Sequence, residues 1–263
     1  MQLFSNPALS DRFINIQIKS ISSLLFTFFL IFPGIPAFSQ AEIIKDTVYF
    51  ENNGKKLMVV NTLNRQYYND STCIWEIMYP EISNLGDMES AINLMLSREV
   101  ALGDCNEKIC DRSTMHFPLL NRYWDKVKIV SIKNDLLSYG LMEGSCPTYA
   151  KICFSKTTYH IYNLKTGMEV ENTSLFRRDT RTLHQLDSVI ASKLDFVPEN
   201  PEMILSGCQF YLEGNNLFAF YDNYTLEGNK TFTVELQKKD ILNLINPNSV
   251  LSVYFSEKKA GKK

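Results

Sequence analysis

The sequence predicts an α+β fold: an antiparallel sheet with helices packed on it, tied by disulfides. Three observations carry that prediction. Strand-like runs come in groups joined by tight turn signals, which is how antiparallel pairs read in a sequence. Two amphipathic helical stretches interrupt those groups irregularly instead of alternating with them, which separates α+β from α/β. Six cysteines, at positions 73, 105, 110, 146, 153 and 208, all follow an N-terminal segment built like an export signal.

That segment is residues 1–39. Arg12 and Lys19 precede an apolar run from Ile21 to Phe38, and Pro33, Gly34 and Pro36 interrupt it. Ala37-Phe38-Ser39 then supplies the small residues of a cleavage site before Gln40. An uncleaved anchor is the alternative, but the run falls short of the ~18–20 apolar residues that span a bilayer. No Cys follows the apolar run at the cut, so no lipid anchor is expected, and no later segment is apolar enough to span. The expected location is periplasmic or extracellular.

The chain from Gln40 onward fits one domain of about 50–250 residues. With 45% hydrophobic and 12% aromatic residues it can bury a sizeable core, which excludes disordered and fibrous classes. A formal net charge of −2 favours neither nucleic acid nor an anionic membrane as partner. The basic end, residues 257–263, reads as a frayed tail.

Along the mature chain, the first element is a hairpin. Thr47 to Val60 alternates around Asn52-Asn53-Gly54-Lys55, an Asn-Gly turn signal. Thr72 to Tyr79 is an aromatic strand that Pro80 should end. A helix follows, with Asp87 as N-cap candidate, apolar positions at Ala91, Leu94, Met95, Val100 and Leu102, and Gly103 as its stop. Residues 104–125 read as loop and short helix anchored by Cys105, Cys110, Pro118 and Trp124. Strands are then expected at Lys126–Ile132, Leu136–Met142 and Cys153–Asn163, the last closed by the turn Asn163-Leu-Lys-Thr-Gly167. A second helix covers Thr180 to Leu194, with Leu183, Leu186, Val189, Ile190 and Leu194 on its apolar face. Pro198 and Pro201 end that unit.

Disulfides are the expected state of an even cysteine count in an exported chain. Local spacing pairs Cys105 with Cys110 and Cys146 with Cys153. Cys73 and Cys208 are left as a tie between the first and last strands. A metal site is not expected, since there is no C-x-x-C pair and His116 does not complete zinc-like spacing. No cofactor is implied.

The C-terminal part carries a family resemblance. Cys208-Gln-Phe-Tyr-Leu-Glu-Gly-Asn-Asn-Leu-Phe-Ala-Phe-Tyr221 leads through Asp222-Asn223-Tyr224-Thr-Leu-Glu-Gly228 to Thr231–Leu236 and the Leu/Ile-rich Lys239–Pro247. Together with Tyr79-Pro80-Glu81-Ile82 and Tyr159–Gly167, this order resembles the extracytoplasmic domain of lysozyme-sensing anti-sigma factors of the RsiV type, also found beside PdaC-type deacetylases. The resemblance covers most of residues 71–251 and rests on order and spacing. It implies a non-enzymatic binding module whose ligand is a lysozyme-like hydrolase or peptidoglycan. Two departures stand out: Gly144–Tyr149 replaces a His-containing loop, and neither a sigma-binding segment nor a deacetylase domain accompanies the match.

The binding candidates are Tyr149, Tyr221, Asp222, Asn223 and Tyr224, aromatic and small polar groups expected in loops 143–153 and 221–229. Core packing is the competing role for each. Phe218 and Phe220 should share one face of their strand, with Tyr221 on the other. Catalytic alternatives are thinner. Cys146 with His160 would need a reduced thiolate, His184 with Asp187 lacks a nucleophile elbow, and Glu143 with Asp222 is one of many carboxylate pairs. The expected organisation is a signal peptide at 1–39, N-terminal strands at 40–70, the binding domain at 71–256 and the tail. A cell-wall hydrolase or esterase with an unrecognised site is the second reading, and a structural envelope protein the third.

Overall fold

A computed structural model describes residues 40–68, 73–101, 121–147, 153–194, 207–223 and 230–256, all within one unit. Strands β1 (Gln40–Asn52) and β2 (Lys55–Tyr68) pair along their whole length around Asn53-Gly54. Both turn residues have positive φ, 53° and 78°, the conformation that a two-residue hairpin turn demands and Asn-Gly supplies. Strand β3 (Cys73–Ser83) pairs antiparallel with β2. It runs through Pro80 instead of stopping there. Its pairing with the next strand ends at Met78, so on that side Pro80 lies on an open edge where proline is tolerated.

A 3-10 turn at Gly86–Met88 leads into helix α1 (Glu89–Ala101). Asp87 lies inside that turn and is not the cap. Glu89 fills the role instead, accepting from the backbone N–H of Asn84 at 2.8 Å and of Leu85 at 3.3 Å. The buried face is Ile92, Leu96 and Val100, one position every fourth residue. Leu94, expected on that face, is exposed; it falls two residues from Ile92 and so lies on the far side of the helix.

Strand β4 (Asn121–Lys133) runs parallel to β3 across the α1 crossover, which makes the sheet mixed. Residues 121–125, expected as loop, are its first five. Strands β5 (Leu136–Pro147), β6 (Phe154–Asn163) and the short β7 (Met168–Glu169) complete a seven-stranded sheet in sequential order. The Asn163–Gly167 turn forms as expected, with Asn163 Oδ1 accepting from the N–H of Lys165 and Thr166.

One sheet was expected and there are two. Strands β8 (Cys208–Glu213), β9 (Asn216–Asn223) and β10 (Lys230–Leu236) form a separate three-stranded antiparallel sheet. Around it lie α2 (Asn172–Leu175), α3 (Thr180–Ala191), α4 (Lys238–Ile241) and α5 (Val250–Phe255). Helix α3 is capped by Asp179, which accepts from Thr182 N at 2.9 Å. It buries Leu186 and Ile190, while Leu183 stays exposed. In the Leu/Ile-rich stretch 239–247 only residues 239–241 are helical; Leu244 and Ile245 enter the core from the segment that follows.

Two apolar clusters result. One joins β1–β5 to α1 through Leu57, Val59, Ile82, Leu96, Val127 and Leu137. The other joins the small sheet to α3–α5 through Leu186, Ile190, Leu212, Leu217 and Leu251, and reaches the large sheet at Leu136 and Ile161. Each fully buried Leu or Ile contributes about 1.5–3 kcal/mol. The sheets are also joined by hydrogen bonds. Ser131 Oγ donates to Leu212 O at 2.7 Å, and Leu212 N donates to Ser138 Oγ at 3.1 Å. Tyr159 N donates to Gln209 Oε1 at 2.7 Å. Buried backbone groups on the outer strand β8 are thereby satisfied by side chains of the other sheet.

Candidate binding surface

The loop between β5 and β6 is closed by a disulfide, Cys146–Cys153, as the spacing predicts. Register sets what stands beside it. Arg122 is opposite Cys146, Trp124 is opposite Gly144, and Phe154 is opposite Ser145. Gly144 is required there: a Cβ would stand 2.3 Å from Trp124 Cζ2 and 2.6 Å from the Phe154 carbonyl oxygen. The indole therefore lies across β5. Phe154 is 54% exposed, and the Arg122 side chain 48%.

Strand alternation places Lys126 beyond Arg122 and Trp124 on the same face of β4. That face of β4 stands beside Glu76, whose side chain is 1% exposed, while Phe154, opposite Ser145, belongs to the other face of the sheet. Its Oε1 accepts from Arg122 at 2.6 Å and from Arg65 Nε at 2.9 Å, and its Oε2 from Lys126 at 2.6 Å. Burial alone would raise the Glu76 carboxyl. Hydrogen bonds from Lys126, Arg122 and Arg65 outweigh burial and bring it down to about 2. Arg65 also holds Glu42 at 2.7 Å. Asp125, between Trp124 and Lys126 in sequence, behaves oppositely. Burial and then the charge of Glu143, its cross-strand partner, raise its pKa.

Of the expected binding residues, Tyr149 and Tyr224 lie outside the described residues, as do Cys105, Cys110 and His116. Tyr221 is half-buried and stacked on Phe232 at 5.0 Å. A Cβ on Gly207 would come within 2.3 Å of its ring, so it packs along the rim of the second core. Asp222 and Asn223 end β9, paired with Thr231 and Lys230. Phe218 and Phe220 do share a face, in a cluster with Tyr211 and Tyr159: Tyr159 stacks on Tyr211 at 4.1 Å and meets Phe220 edge-on at 4.9 Å.

The tie between Cys73 and Cys208 is not formed. Cys73 is disulfide-bonded, whereas Cys208 is a buried free thiol. Cys73 opens β3, while Cys208 precedes Gln209, which bonds β6 three strands away. At ~4.8 Å per strand that is about twice the Cα separation a disulfide tolerates. Burial, helped by the charge of Asp187, pushes the Cys208 thiol up to about 12. His184 stays exposed on α3 while Asp187 turns toward Cys208.

His160 pairs with Glu169 rather than with a cysteine; its Nδ1 lies 2.6 Å from Glu169 Oε1. Tyr139 stacks on the ring at 5.1 Å and donates to Glu99 at 3.3 Å. This arrangement fixes the imidazole beside a cleft of about 580 Å³ lined by Tyr162, Met168, Glu169 and Asn172. Among the described residues, no three His, Cys, Asp or Glu side chains stand together as a metal set.

The residues that sequence reasoning missed are Arg122 and Glu76, with Trp124 assigned to a loop. The available signal was the alternation Arg122-Tyr-Trp124-Asp-Lys126, a strand with a cationic and aromatic face.

No family model and no curated protein sequence matches this chain. Solved structures similar to it include two bacterial proteins. One is a member of the DUF3298 family from Bacteroides fragilis, 11% identical, covering 84% of this chain and 98% of its own, with a TM-score of 0.48. The other is a DUF3298 family protein from Pseudomonas aeruginosa PAO1, 8% identical, covering 80% and 95%, with a TM-score of 0.46. Its structural neighbours are DUF3298 proteins.

Proposed function

We propose that this protein is an exported binding module of the cell envelope and not an enzyme. Its ligand would be a lysozyme-like hydrolase or peptidoglycan, engaged at the disulfide-closed end of β4–β6. The observation that carries the reading is the face that β4 and β5 share there: Arg122 exposed, Trp124 laid across Gly144, and the loop beside them clamped by Cys146–Cys153. Pre-ordering a loop lowers the entropy lost on binding, and aromatics with Arg are the side chains enriched at energetic centres of interfaces. Two disulfide-bonded sites, Cys146–Cys153 and Cys73, suit an oxidising compartment. No helix among the described residues is long and apolar enough to cross a membrane. The reactive groups described are otherwise engaged: Cys208 is buried with its thiol near 12, Glu76 is held by three cations, and His160 is held on Glu169. The specific RsiV- or PdaC-like role rests on the sequence resemblance.

The test is co-sedimentation of the oxidised protein with insoluble peptidoglycan and, separately, capture on immobilised lysozyme with lytic activity recorded. Saturable binding to either supports the module; loss of lysis identifies inhibition. Binding to neither removes the proposal.

A second reading, a wall-degrading hydrolase, is favoured by one pair: Asp125 with its raised pKa faces Glu143 across adjacent strands. A carboxyl with a raised pKa close to a second carboxylate is the kind of pair that glycoside hydrolysis uses. Release of reducing sugar from peptidoglycan by the wild type but not by Asp125→Asn would establish it.

A further inference from the structure

The cation cluster of β4 has more positive charge than its internal role uses. One buried carboxylate needs one or two cationic partners, and Glu76 has three. Arg65 is shared with Glu42, so the cluster sets three cations against two carboxylates. Among the described residues one positive charge remains over. Lys128, two residues past Lys126, is also exposed. The excess is carried outward by Arg122, which spends one nitrogen on Glu76 and is half exposed. A guanidinium keeps several further N–H donors in a planar fork suited to a second carboxylate. Trp124 lies between Arg122 and Lys126, half-buried and held over Gly144. Asp125 gains no relief from these cations; its carboxyl is raised by burial and Glu143. Strand alternation puts that acidic pair on the side of the sheet opposite the positive face.

We propose that Arg122, Trp124 and Lys126 form a binding site for an acidic saccharide, a single sugar ring bearing a carboxylate. The ring would rest its C–H face on the indole and its carboxylate would meet Arg122. A residual charge near one matches a single carboxylate and not a polyanion, whose binding scales with many neutralised phosphates. This inference names the ligand chemistry of the surface proposed above and rests on that reading.

The chain has two tryptophans. Trp75 is buried and Trp124 half-buried, so ligand-induced fluorescence change reports on Trp124. The oxidised protein is titrated with N-acetylmuramic acid, N-acetylglucosamine and acetate. A saturable change is expected with N-acetylmuramic acid and at least about tenfold weaker affinity for the neutral sugar, the equivalent of one charge-assisted hydrogen bond. Arg122→Gln should weaken the acidic sugar by about tenfold. Because Arg122→Gln also removes a partner of Glu76, Lys128→Gln is the folded companion, with a smaller loss expected; a thermal midpoint is recorded for both. Equal affinity for both sugars, saturation by acetate alone, or unchanged affinity in Arg122→Gln would each overturn the site. Peptidoglycan retention is measured in parallel. Retention without a response to N-acetylmuramic acid sinks this site but leaves the binding module standing. A response to the sugar without retention on peptidoglycan supports the site and removes the wall as its ligand.

Discussion

Glu76 and Asp125 sit on adjacent strands, one residue out of register, and titrate in opposite directions. Both are withdrawn from solvent. Glu76 is the more buried, yet its carboxyl falls to about 2 because three cations donate to it. Asp125 faces another carboxylate, and its pKa rises. The lesson is that burial sets the size of the electrostatic stakes and the partners set their sign. Cys208 is the limiting case: buried with no cation beside it, its thiol climbs to about 12.

The largest test of that contrast is Glu76→Gln. It leaves Arg65, Arg122 and Lys126 crowded without their anion, and orphaning one side of a buried ion pair costs about 3–5 kcal/mol. A lowered thermal midpoint at neutral pH is expected; an unchanged midpoint would mean the cluster is not a stabilising unit. The pH dependence follows in sign. The Glu76 pKa is depressed when folded, so its stabilisation is present above its ordinary 4.5 and is lost as pH falls from there toward about 2. Glu76→Gln should flatten the wild-type stability curve in that window, which acid titration of the denaturation midpoint would detect.

Next in size is Gly144→Ala. Its Cβ would meet Trp124 at 2.3 Å, and overpacking of this kind costs about 1–3 kcal/mol. Displacement of the indole should shift Trp124 emission, and emission identical to the wild type would show that the ring does not rest on β5. Asp125→Asn should act in the other direction and more weakly. Its folded pKa is raised, so the ionised form is penalised as pH climbs above 3.8. Removing the charge should gain up to about 1 kcal/mol at neutral pH and nothing in strong acid; destabilisation at neutral pH would contradict the repulsion from Glu143. The smallest effect is at Cys208. Alkylation of native protein should leave it unmodified, with labelling only after denaturation, as peptide mass mapping would show.

Local chemistry was legible in the sequence where a few neighbouring residues decide the outcome. Asn53-Gly54 specified its turn, Asn163–Gly167 specified another, and Leu186 with Ile190 marked the inner face of α3. Cys146 and Cys153 were close enough in sequence to be paired by spacing. Cys208 was not, because its distance from Cys73 depends on which sheet each strand joins. Nothing in β8–β10 distinguishes them locally from β4–β6, so the split into two sheets was invisible. The same holds for Glu76, whose partners come from β2 and β4. The β4 face was missed for a different reason: cysteines and a proline upstream suggested loop, and that reading absorbed Trp124.

Ser131 and Ser138 finish the open side of β8 by bonding both backbone groups of Leu212. Backbone groups already held by hydroxyls from a neighbouring layer cannot template another chain at that point. At Leu212, then, an incoming strand would have to displace both serines before it could extend the small sheet on the β8 side.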